Sequence, residues 1–461
     1  MNDTICALAT APGGAIGIIR ISGAQSLEIL SHIFTKNLSD AKGNTIHFGH
    51  IIERKNHSGN VERVAIPSPQ TIDEVLVSVF RAPRSYTGED SVEISCHGSR
   101  YILNKVLELL IQHGCRMAEP GEFTQRAFLN GKMDLSQAEA VADLIVSTNK
   151  ATHDIAMSQL RGHFSSQLAQ LREQLLKLTS LLELELDFSD HEDLEFADRT
   201  ELLAIANKID KHITQLSHSF EVGQAIKQGV PVAIVGKTNV GKSTLLNRLL
   251  KDDRAIVSDI HGTTRDTIED TIDLQGITFR FIDTAGIRQT TDQVEQIGIE
   301  RTYAAISKAR IVIWLVDEEP SQEELSKMQN LTENKKLIIV RNKIDKTENK
   351  SFTLVKIPLI EISAKQGTNL AQLEQTIYEA AGIPTLSDTD VIITNARHYD
   401  ALVRARQSLS RVLDGLRLGL SGDLLSEDLR EVLNILSEIT GGQITTHEVL
   451  GNIFKNFCVG K

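Results

Sequence analysis

Residues 236–243 carry the spacing of a phosphate-binding loop. Gly236–Ser243 reads G-K-T-N-V-G-K-S, which fits the pattern G-x-x-x-x-G-K-[ST]. It follows the apolar stretch Val232–Val235 and precedes the helical pattern Leu245–Leu250, so a loop between a buried strand and a helix is predicted. Its glycines let backbone amides curl toward phosphate oxygens, and the following helix dipole attracts the same charge. We expect Lys242 to reach the terminal phosphates; a structural glycine-rich turn is the disfavoured alternative.

Two further segments are expected to approach the same phosphates and a magnesium ion. Asp283–Gly286, which reads D-T-A-G, follows the alternating strand pattern Ile277–Ile282. It would bring a carboxylate beside the metal and a flexible glycine near the γ-phosphate. Gly262–Arg265 lies in the loop between the two motifs, where the Thr264 hydroxyl can complete the coordination of Mg²⁺ together with the Ser243 hydroxyl.

Two later motifs predict that the base is guanine. Asn342–Asp345 follows the apolar strand Leu337–Val340, and Asp345 can accept hydrogen bonds from the ring N–H and the exocyclic amine of guanine. Adenine lacks that pair of donors and would leave the carboxylate unpaired, which is a costly mismatch. Ser363–Lys365, after the strand pattern Ile357–Ile362, supplies a further base contact. Each motif is common by chance, but their combination in this order predicts GTP.

These motifs together predict one Ras-like P-loop GTPase site. The residues expected to line it are Asn239, Val240, Gly241, Lys242, Ser243, Thr244, Ser258, Asp259, Ile260, His261, Gly262, Thr263, Thr264, Asp283, Thr284, Ala285, Gly286, Asn342, Lys343, Asp345, Ser363, Ala364 and Lys365. Ser243 and Thr264 are the expected Mg²⁺ ligands.

The residue that usually orients the attacking water is missing from this site. Ras-like proteins carry a glutamine directly after D-T-A-G, whereas this chain has Ile287, which cannot hydrogen-bond water. Either the domain is a slow switch, or another residue activates the water. Glu295 is the first candidate for that role and Asp292 the second; a solvated helix charge is the alternative interpretation of Glu295.

Length, charge and cysteine spacing limit the class of protein. The chain has 461 residues, which predicts about three domains. A net charge of −12 argues against nucleic-acid binding by a diffuse basic surface, although it leaves a local basic face open. We see no secretory signal, and the most apolar run, Ile311–Val316, is too short to span a bilayer. Cys6, Cys96, Cys115 and Cys458 have no disulfide or metal-ligand spacing, which predicts a reducing, cytoplasmic location without a membrane.

The periodicity predicts a multidomain α/β plus all-α chain. The predicted parts are an N-terminal α/β domain at 1–118, a first helical part at 119–228, the GTPase domain at 229–382 and a second helical part at 383–461. Because helical segments flank the GTPase domain, we expect it to be inserted into one helical domain. Ser136 and Glu139 fit a capping box at a helix start. One apolar helix face is predicted from the spacing of Leu168, Leu171, Leu175, Leu178 and Leu182.

Several motifs outside the nucleotide site carry a family resemblance. They are Arg20–Gly23, Tyr86–Asp90, Pro120–Thr124, Arg126–Lys132, Asp259–Asp266 and the tail Phe457–Lys461. In these motifs the sequence closely resembles the MnmE (also called TrmE) family of tRNA-uridine-modifying GTPases. The tail reads F-C-V-G-K where the family usually has F-C-I-G-K, so Val459 is a mild departure.

The resemblance implies an architecture, a reaction and partners. It implies an N-terminal folate-binding domain that also forms a homodimer, a central helical domain and the inserted GTPase domain. It also implies a heterotetramer or larger complex with an MnmG-type partner, which alone carries FAD and uses NADH. Together the two proteins would install an aminomethyl-type (carboxymethylaminomethyl) group at carbon five of the wobble uridine of certain tRNAs. Methylenetetrahydrofolate would be the one-carbon donor, with 5-formyltetrahydrofolate as a related ligand.

The resemblance also implies roles for residues that composition alone would leave as surface charges. Arg20, Glu93, Lys132 and Lys461 match the family's folate positions. A carboxylate can grip the amino-pyrimidine edge of a pterin, and cations suit its glutamate tail.

The family is activated by K⁺ and by pairing of GTPase domains, without an arginine finger. The matching K⁺ ligands are Asn239, Ser258, the Ile260 carbonyl and Thr263, and Glu295 matches the water-orienting glutamate.

Two interpretations stay open for the remaining cysteines and for the function. Cys458 is either a thiol nucleophile or an accessible tail cysteine, and His97 beside Cys96 is a weak metal signal for which a structural role is favoured. Two other functions compete with tRNA modification alongside a flavoprotein. They are a ribosome-assembly or translation-associated switch, which should carry a basic RNA-binding appendage, and a standalone folate-dependent transferase.

Overall fold

The computed structural model describes residues 3–54, 70–187, 199–252, 270–282, 295–346, 359–384, 390–442, 447–455, 457 and 460. The strands in this part of the chain are β1 Ile5–Leu8, β2 Ile16–Ser22, β3 Thr45–Glu53, β4 Gln70–Phe80, β5 Ser91–His97, β6 Arg116–Met117, β7 Val230–Val235, β8 Asp270–Leu274, β9 Ile277–Phe281, β10 Ile311–Val316, β11 Lys336–Arg341 and β12 Leu359–Glu361. The helices are α1 Ser26–Ile33, α2 Arg100–Gln112, α3 Glu122–Leu129, α4 Leu135–Val146, α5 Lys150–Leu160, α6 His163–Asp187, α7 Arg199–Gln228, α8 Lys242–Asp252, α9 Glu295–Lys308, α10 Gln322–Leu331, α11 Leu370–Ala380, α12 Ala396–Leu418, α13 Gly422–Thr440 and α14 His447–Phe454.

The chain divides into two compact units, the first formed by Met1–Ile145, Gln159–Glu192 and Ser421–Lys461. Its six-stranded sheet has the order β3-β4-β5-β2-β1-β6, and its neighbouring strands are antiparallel except for the parallel pair β1 and β6. Helices α1 and α2 pack against this sheet. The side chains beneath them alternate along each strand, as Ile19 and Ile21 do on β2, and form one apolar core. On the alternate positions Ile46, Phe48 and Leu76 stay exposed.

The second unit, Val146–Ser158 and Asp193–Leu420, contains the other six-stranded sheet. Its order is β12-β11-β10-β7-β9-β8, and all neighbours are parallel except the antiparallel pair β8 and β9. Alternate residues of β7 face opposite sides, since Val232 joins a core with α8 and α11 while Val235 joins another with α9 and α10. Helices on both faces of a parallel sheet make this a doubly wound α/β fold, in which ligands bind beyond the carboxyl ends of the strands.

The helices confirm the predicted apolar face and correct the predicted cap. All five leucines of the α6 face are buried, and α6 packs on α13. The capping box lies two residues earlier than predicted, because Ser136 is already inside α4. Asp134 Oδ1 accepts from the Gln137 backbone N–H at 3.0 Å, and Gln137 Oε1 accepts from the Asp134 N–H at 3.0 Å. A carboxylate is as good an N-cap acceptor as a hydroxyl, which is why Asp134 takes the position.

Two other expectations concern membranes and metals. In the described residues, no helix is both long and apolar enough to cross a bilayer. Within the same residues, no group of three or more His, Cys, Asp or Glu side chains is arranged to hold a metal ion.

A pair of adjacent leucines tests the packing of α6. Leu175 is fully buried, whereas its neighbour Leu176 is 39% exposed. Leu175→Ala should destabilise this unit by about 2–5 kcal/mol through lost contacts and a residual cavity. Leu176→Ala should change stability by about 0.5 kcal/mol or less. Urea unfolding followed by circular dichroism measures both, and equal midpoints for the two variants would contradict the assignment.

Candidate functional site

The loop after β7 folds tightly because its glycines meet other backbone and amide groups. A Cβ on Gly236 would collide with the carbonyl oxygen of Leu315, and one on Gly241 would collide with the Asn342 amide nitrogen. Gly241 also has a φ of 104°, which is strained for other residues. The Lys242 ammonium donates across the curl to the carbonyls of Gly236 and Lys237, each at 2.7 Å.

The electrostatics of this loop suit a phosphate group. Burial lowers the pKa of Lys242, because desolvation disfavours the charged ammonium. Lys242 is the first residue of α8, so the cation lies where the backbone amides and the helix dipole also favour negative charge. Asn239 has a left-handed backbone, with φ of 60°, on the exposed rim of the loop.

Asn342 joins three loops at the carboxyl edge of the sheet. Its Nδ2 donates to the carbonyl of Val240 in the phosphate loop at 2.8 Å. Its Oδ1 accepts from the backbone N–H of Ala364, in the loop after β12, at 3.0 Å. Asn342 itself follows β11 and is 3% exposed. The predicted base motifs and the phosphate loop are therefore brought together by one buried amide.

The expected base-recognising carboxylate is held by a neighbouring hydroxyl. Ser363 Oγ donates to Asp345 Oδ1 at 2.6 Å, and this hydrogen bond lowers the pKa of Asp345. The carboxylate is exposed and ionised at neutral pH, so it can accept donors from a base. Lys343 has a φ of 66° and pairs with Asp317 at 2.7 Å, at the end of β10. Lys365 is exposed on the adjacent loop.

Arg20 and Glu93 form the centre of a second candidate site, in the first unit. They are cross-strand partners on β2 and β5, and Arg20 donates to Glu93 from Nε at 2.9 Å and from a terminal nitrogen at 2.7 Å. The guanidinium also lies 5.5 Å from the ring centre of Tyr86. A further terminal nitrogen donates to the Gly460 carbonyl at 3.1 Å, which ties the chain's tail to this strand pair.

The tail reaches Arg20 through close backbone contacts. A Cβ on Gly121 would lie 2.8 Å from the Phe457 side chain, and Phe457 and Phe454 rings pack at 4.9 Å. Gly460 packs against the carbonyl of Leu8, where a side chain would collide. Two motifs far apart in sequence, P-G-E-F and the tail, are thus in direct contact.

Lys132 is held by another loop of the same unit. Its ammonium donates to the Pro83 carbonyl at 2.8 Å, and its aliphatic stem lies against Gly88. The nearby Asn130 amide donates to the Thr87 carbonyl at 2.7 Å.

Some expected site residues fall outside the described residues. These are Ser258, Asp259, Ile260, His261, Gly262, Thr263, Thr264, Asp283, Thr284, Ala285, Gly286, Cys458 and Lys461, with Ile287, Asp292 and Val459 beside them. Glu295 begins α9, but its side chain lies outside what is described.

Sequence reasoning missed two polar clusters in the first unit. Arg126, 1% exposed, pairs with Asp3 at 2.8 Å, with Glu122 at 3.0 Å and with Glu89 at 3.3 Å. Its motif was noted, but no sequence signal indicates that its arginine is buried, since arginines usually lie on the surface.

The other cluster joins His97 to Asp73 and bears on the metal hypothesis for Cys96. The His97 ring lies 2.7 Å from Asp73. Burial, with the charge of Asp73 nearby, raises the pKa of Cys96 to about 12, so this thiol stays protonated. A protonated thiol is a poor metal ligand, which favours the structural interpretation of Cys96.

Comparison with known proteins matches the chain along nearly its whole length. The family model described as the GTP-binding protein TrmE N-terminus matches residues 4–132, and the model for the MnmE helical domain matches 135–458. A tRNA modification GTPase MnmE from Phocaeicola vulgatus is 54% identical over 495 residues, covering 100% of this chain and 99% of that protein. The chain belongs to the MnmE family. Like these relatives, it is a GTPase that acts in tRNA modification.

Other MnmE proteins agree at similar identity. The Bacteroides thetaiotaomicron protein is 54% identical over 479 residues and the Christiangramia forsetii protein 49% identical over 488, each match covering 100% of both chains. Among solved structures, the G domain of the T. maritima FeoB iron transporter matches 33% of this chain and 98% of its own at 26% identity, with a TM-score of 0.25. MnmE membership, and not that weak structural match, supports tRNA modification over the ribosome-assembly alternative.

Two glycines with left-handed backbones test the tightness of the phosphate loop. Gly241→Ala should weaken GTP binding at least tenfold, because its Cβ would displace the Asn342 amide from Val240. Gly382→Ala is the matched control, since Gly382 has a φ of 61° and nothing within 4 Å of its Cβ position. Titration with a fluorescent GTP analogue measures both. Equal affinities for the two variants would show that the contact at Gly241 does not shape the loop.

Proposed function

We propose that this MnmE-family GTPase, with an FAD-dependent MnmG-type partner, installs an aminomethyl-type group at carbon five of the wobble uridine of certain tRNAs. A reduced folate bound by the N-terminal α/β domain supplies the one-carbon unit, and GTP hydrolysis is coupled to the modification. The observation that carries the folate assignment is the Arg20–Glu93 pair, which is joined to the chain's tail through Gly460.

The folate proposal is consistent with the chemistry around that pair. Glu93 offers a carboxylate that can accept two donors from the amino-pyrimidine edge of a pterin, and Arg20 holds it in place. The rings of Tyr86 and Phe123 lie beside Arg20 and offer apolar surface to a flat heterocycle. Lys132 and Lys461 are proposed to meet the anionic glutamate tail. Cys458 precedes Gly460 by two positions, so a thiol role near the one-carbon unit stays part of the proposal.

For the nucleotide site we propose GTP as substrate with Mg²⁺ and K⁺ as ions. The curl at Lys242 and the N-terminus of α8 fit a triphosphate, and Ser243 and Thr264 are the proposed Mg²⁺ ligands. Asp345, Lys343 and the 363–365 loop are proposed to select guanine. The remaining segments, 258–264 and 283–286, would complete the site as expected from their motifs.

A homodimer through the N-terminal domain is also part of the proposal. The sheet positions opposite α1 and α2 expose Ile46, Phe48 and Leu76, which are 68%, 52% and 48% accessible. An apolar strand surface of this kind is typical of a protein interface.

The folate site and the whole reaction can be tested in one experiment. Cells that lack this protein should lose the C5 modification of wobble uridine, as measured by mass spectrometry of tRNA nucleosides. Wild type and Arg172→Ala, an exposed control arginine on α6, should restore it. Arg20→Ala should not, and it should bind 5-formyltetrahydrofolate at least tenfold more weakly while hydrolysing GTP normally.

Two outcomes would contradict different parts of this proposal. Normal uridine modification in cells without the protein would remove the reaction. Wild-type folate affinity in Arg20→Ala would remove the pocket alone.

The second test concerns hydrolysis without a glutamine or an arginine finger. We propose that K⁺, bound by Asn239, Ser258, the Ile260 carbonyl and Thr263, stabilises charge that develops between the β- and γ-phosphates. Hydrolysis should then be fast in K⁺ and slow in Na⁺ at matched ionic strength. Equal rates in the two salts would refute the mechanism.

The water-orienting role of Glu295 has its own readout. Glu295→Ala should lower the turnover number by about 10²-fold or more with little change in GTP affinity, the pattern of a contact made in the transition state. Asp292→Ala is the matched control and should hydrolyse GTP nearly as wild type does. A reversed ranking would assign the role to Asp292.

A further inference from the structure

His97, at the end of β5, is clamped by one buried carboxylate. Its backbone N–H donates to Asp73 Oδ2 at 2.9 Å, and its ring Nδ1 lies 2.7 Å from Asp73 Oδ1. The side chain of Asp73 is 6% exposed, whereas the His97 side chain is 71% exposed. Because an ionised carboxylate only accepts hydrogen bonds, Nδ1 carries a proton and Nε2 is left at the outer edge of the ring.

The backbone on both sides of this pair is built to hold it. The register of β3 against β4 shifts between Ile51 and Ile52, opposite Asp73, and such bulges re-aim neighbouring side chains. After His97 the chain turns at Gly98, whose N–H donates to the Ala15 carbonyl at 2.8 Å. A side chain at Gly98 would collide with the Gly14 carbonyl. The imidazole is thereby fixed in orientation although most of its surface is exposed.

This arrangement costs more than a surface histidine needs. Burying a carboxylate is unfavourable unless donors compensate it, and here the printed donors to Asp73 are the main chain and the ring of His97. A carboxylate that fixes the tautomer of an imidazole and stabilises its protonated form is the same device that orients the histidine of a catalytic triad. A tie between strand ends is the competing explanation, and it predicts different outcomes below.

The position of His97 connects it to the proposed folate site. Side chains alternate along β5, so Glu93, Ser95 and His97 begin on one side of the sheet. Four residues separate Glu93 from His97, or about 13 Å at roughly 3.3 Å per residue. Ile18 lies opposite Ser95 on β2. A polar pair and an exposed imidazole thus lie at two ends of a short, partly apolar strip, which suits a flat fused heterocycle.

We propose that His97 is a general acid for the one-carbon site, and that Asp73 is its positioning residue. This inference rests on the proposed folate function. Release of a methylene unit from methylenetetrahydrofolate breaks one of its two C–N bonds. The leaving nitrogen keeps the electron pair and takes the proton from Nε2 of the imidazolium. The positive charge passes to the carbon and its remaining nitrogen, so atoms, protons and charge balance without any oxidant.

The decisive variant is His97→Asn, measured in the full complex with the flavoprotein partner and tRNA. An asparagine amide can still donate to Asp73, so the tie between the strands is kept, but it has no proton to transfer. Turnover with methylenetetrahydrofolate should fall by about 10²-fold or more, while KM for the folate changes by less than about threefold. GTP hydrolysis, which belongs to the other unit, should be unchanged.

A matched control and a chemical rescue separate catalysis from structure. His50 lies on β3 with its ring 3.4 Å from Glu74, so it is another partly exposed histidine beside a carboxylate, and His50→Asn should keep full turnover. His97→Ala should recover part of its lost turnover when imidazole is added, which a structural tie would not allow. Asp73→Asn should lose less turnover than His97→Asn, because the imidazole stays present but is no longer held in one tautomer.

A readout without turnover completes the test. Titration with 5-formyltetrahydrofolate should show wild-type affinity for His97→Asn, and the ¹⁵N signal of Nε2 in the wild-type protein should shift when this folate binds. Unchanged turnover in His97→Asn would overturn the proposal, and so would lost folate binding without imidazole rescue. If the wild-type protein itself fails to bind reduced folate, the proposed function fails instead, and the two failures are thereby told apart.

Discussion

The buried amide of Asn342 is the contact on which the nucleotide site depends. One side chain bonds the phosphate loop through Val240 and the base loop through Ala364, so two loops that follow different strands cannot move independently. The same amide lies against Gly241 so closely that no other residue fits there. A buried amide that makes both bonds gains their energy, whereas losing one would leave a polar group unsatisfied in a dry environment. This explains why a glycine and an asparagine about a hundred residues apart are required together.

The first unit relies on a comparable device of charge and close backbone contact. Arg126 is buried among three carboxylates from different segments, and a buried guanidinium is tolerated only when such partners satisfy it. Next to this cluster, α3 begins at Gly121 against the Phe457 side chain. The Gly460 carbonyl then meets Arg20. The last residues of the chain thereby become part of a site whose other members lie in the first hundred residues.

The two units divide the proposed work between different kinds of chemistry. The parallel sheet gathers loops at its carboxyl edge, where amides and a lysine suit phosphate. The largely antiparallel sheet of the first unit instead leaves side chains of its strands accessible, where paired charges and aromatic rings suit a heterocycle. The Arg20–Glu93 pair and the clamped His97 lie on neighbouring strands of that sheet, so binding and proton transfer can be assigned to one surface.

The sequence by itself determined what depends on local pattern. The order of the nucleotide motifs, the alternation of strands and helices around them and the leucine face of α6 are all readable because period and spacing follow from backbone geometry. The cap of α4 was misplaced by two residues, since Ser136 and Asp134 are both good caps and local pattern does not choose between them. The resemblance to the MnmE family came from motifs spread along the whole chain and was confirmed by the comparisons.

Only the tertiary structure decided which distant residues meet. Nothing in the spacing of Asp73 and His97, or of Arg20 and Gly460, indicates contact, because strand order and register are set by the packing of the whole sheet. Burial of Arg126 was equally unreadable, since a charged residue is buried only when partners from other segments converge on it. Sequence carries the chemistry of each side chain, but its partners and its solvent exposure are properties of the folded chain.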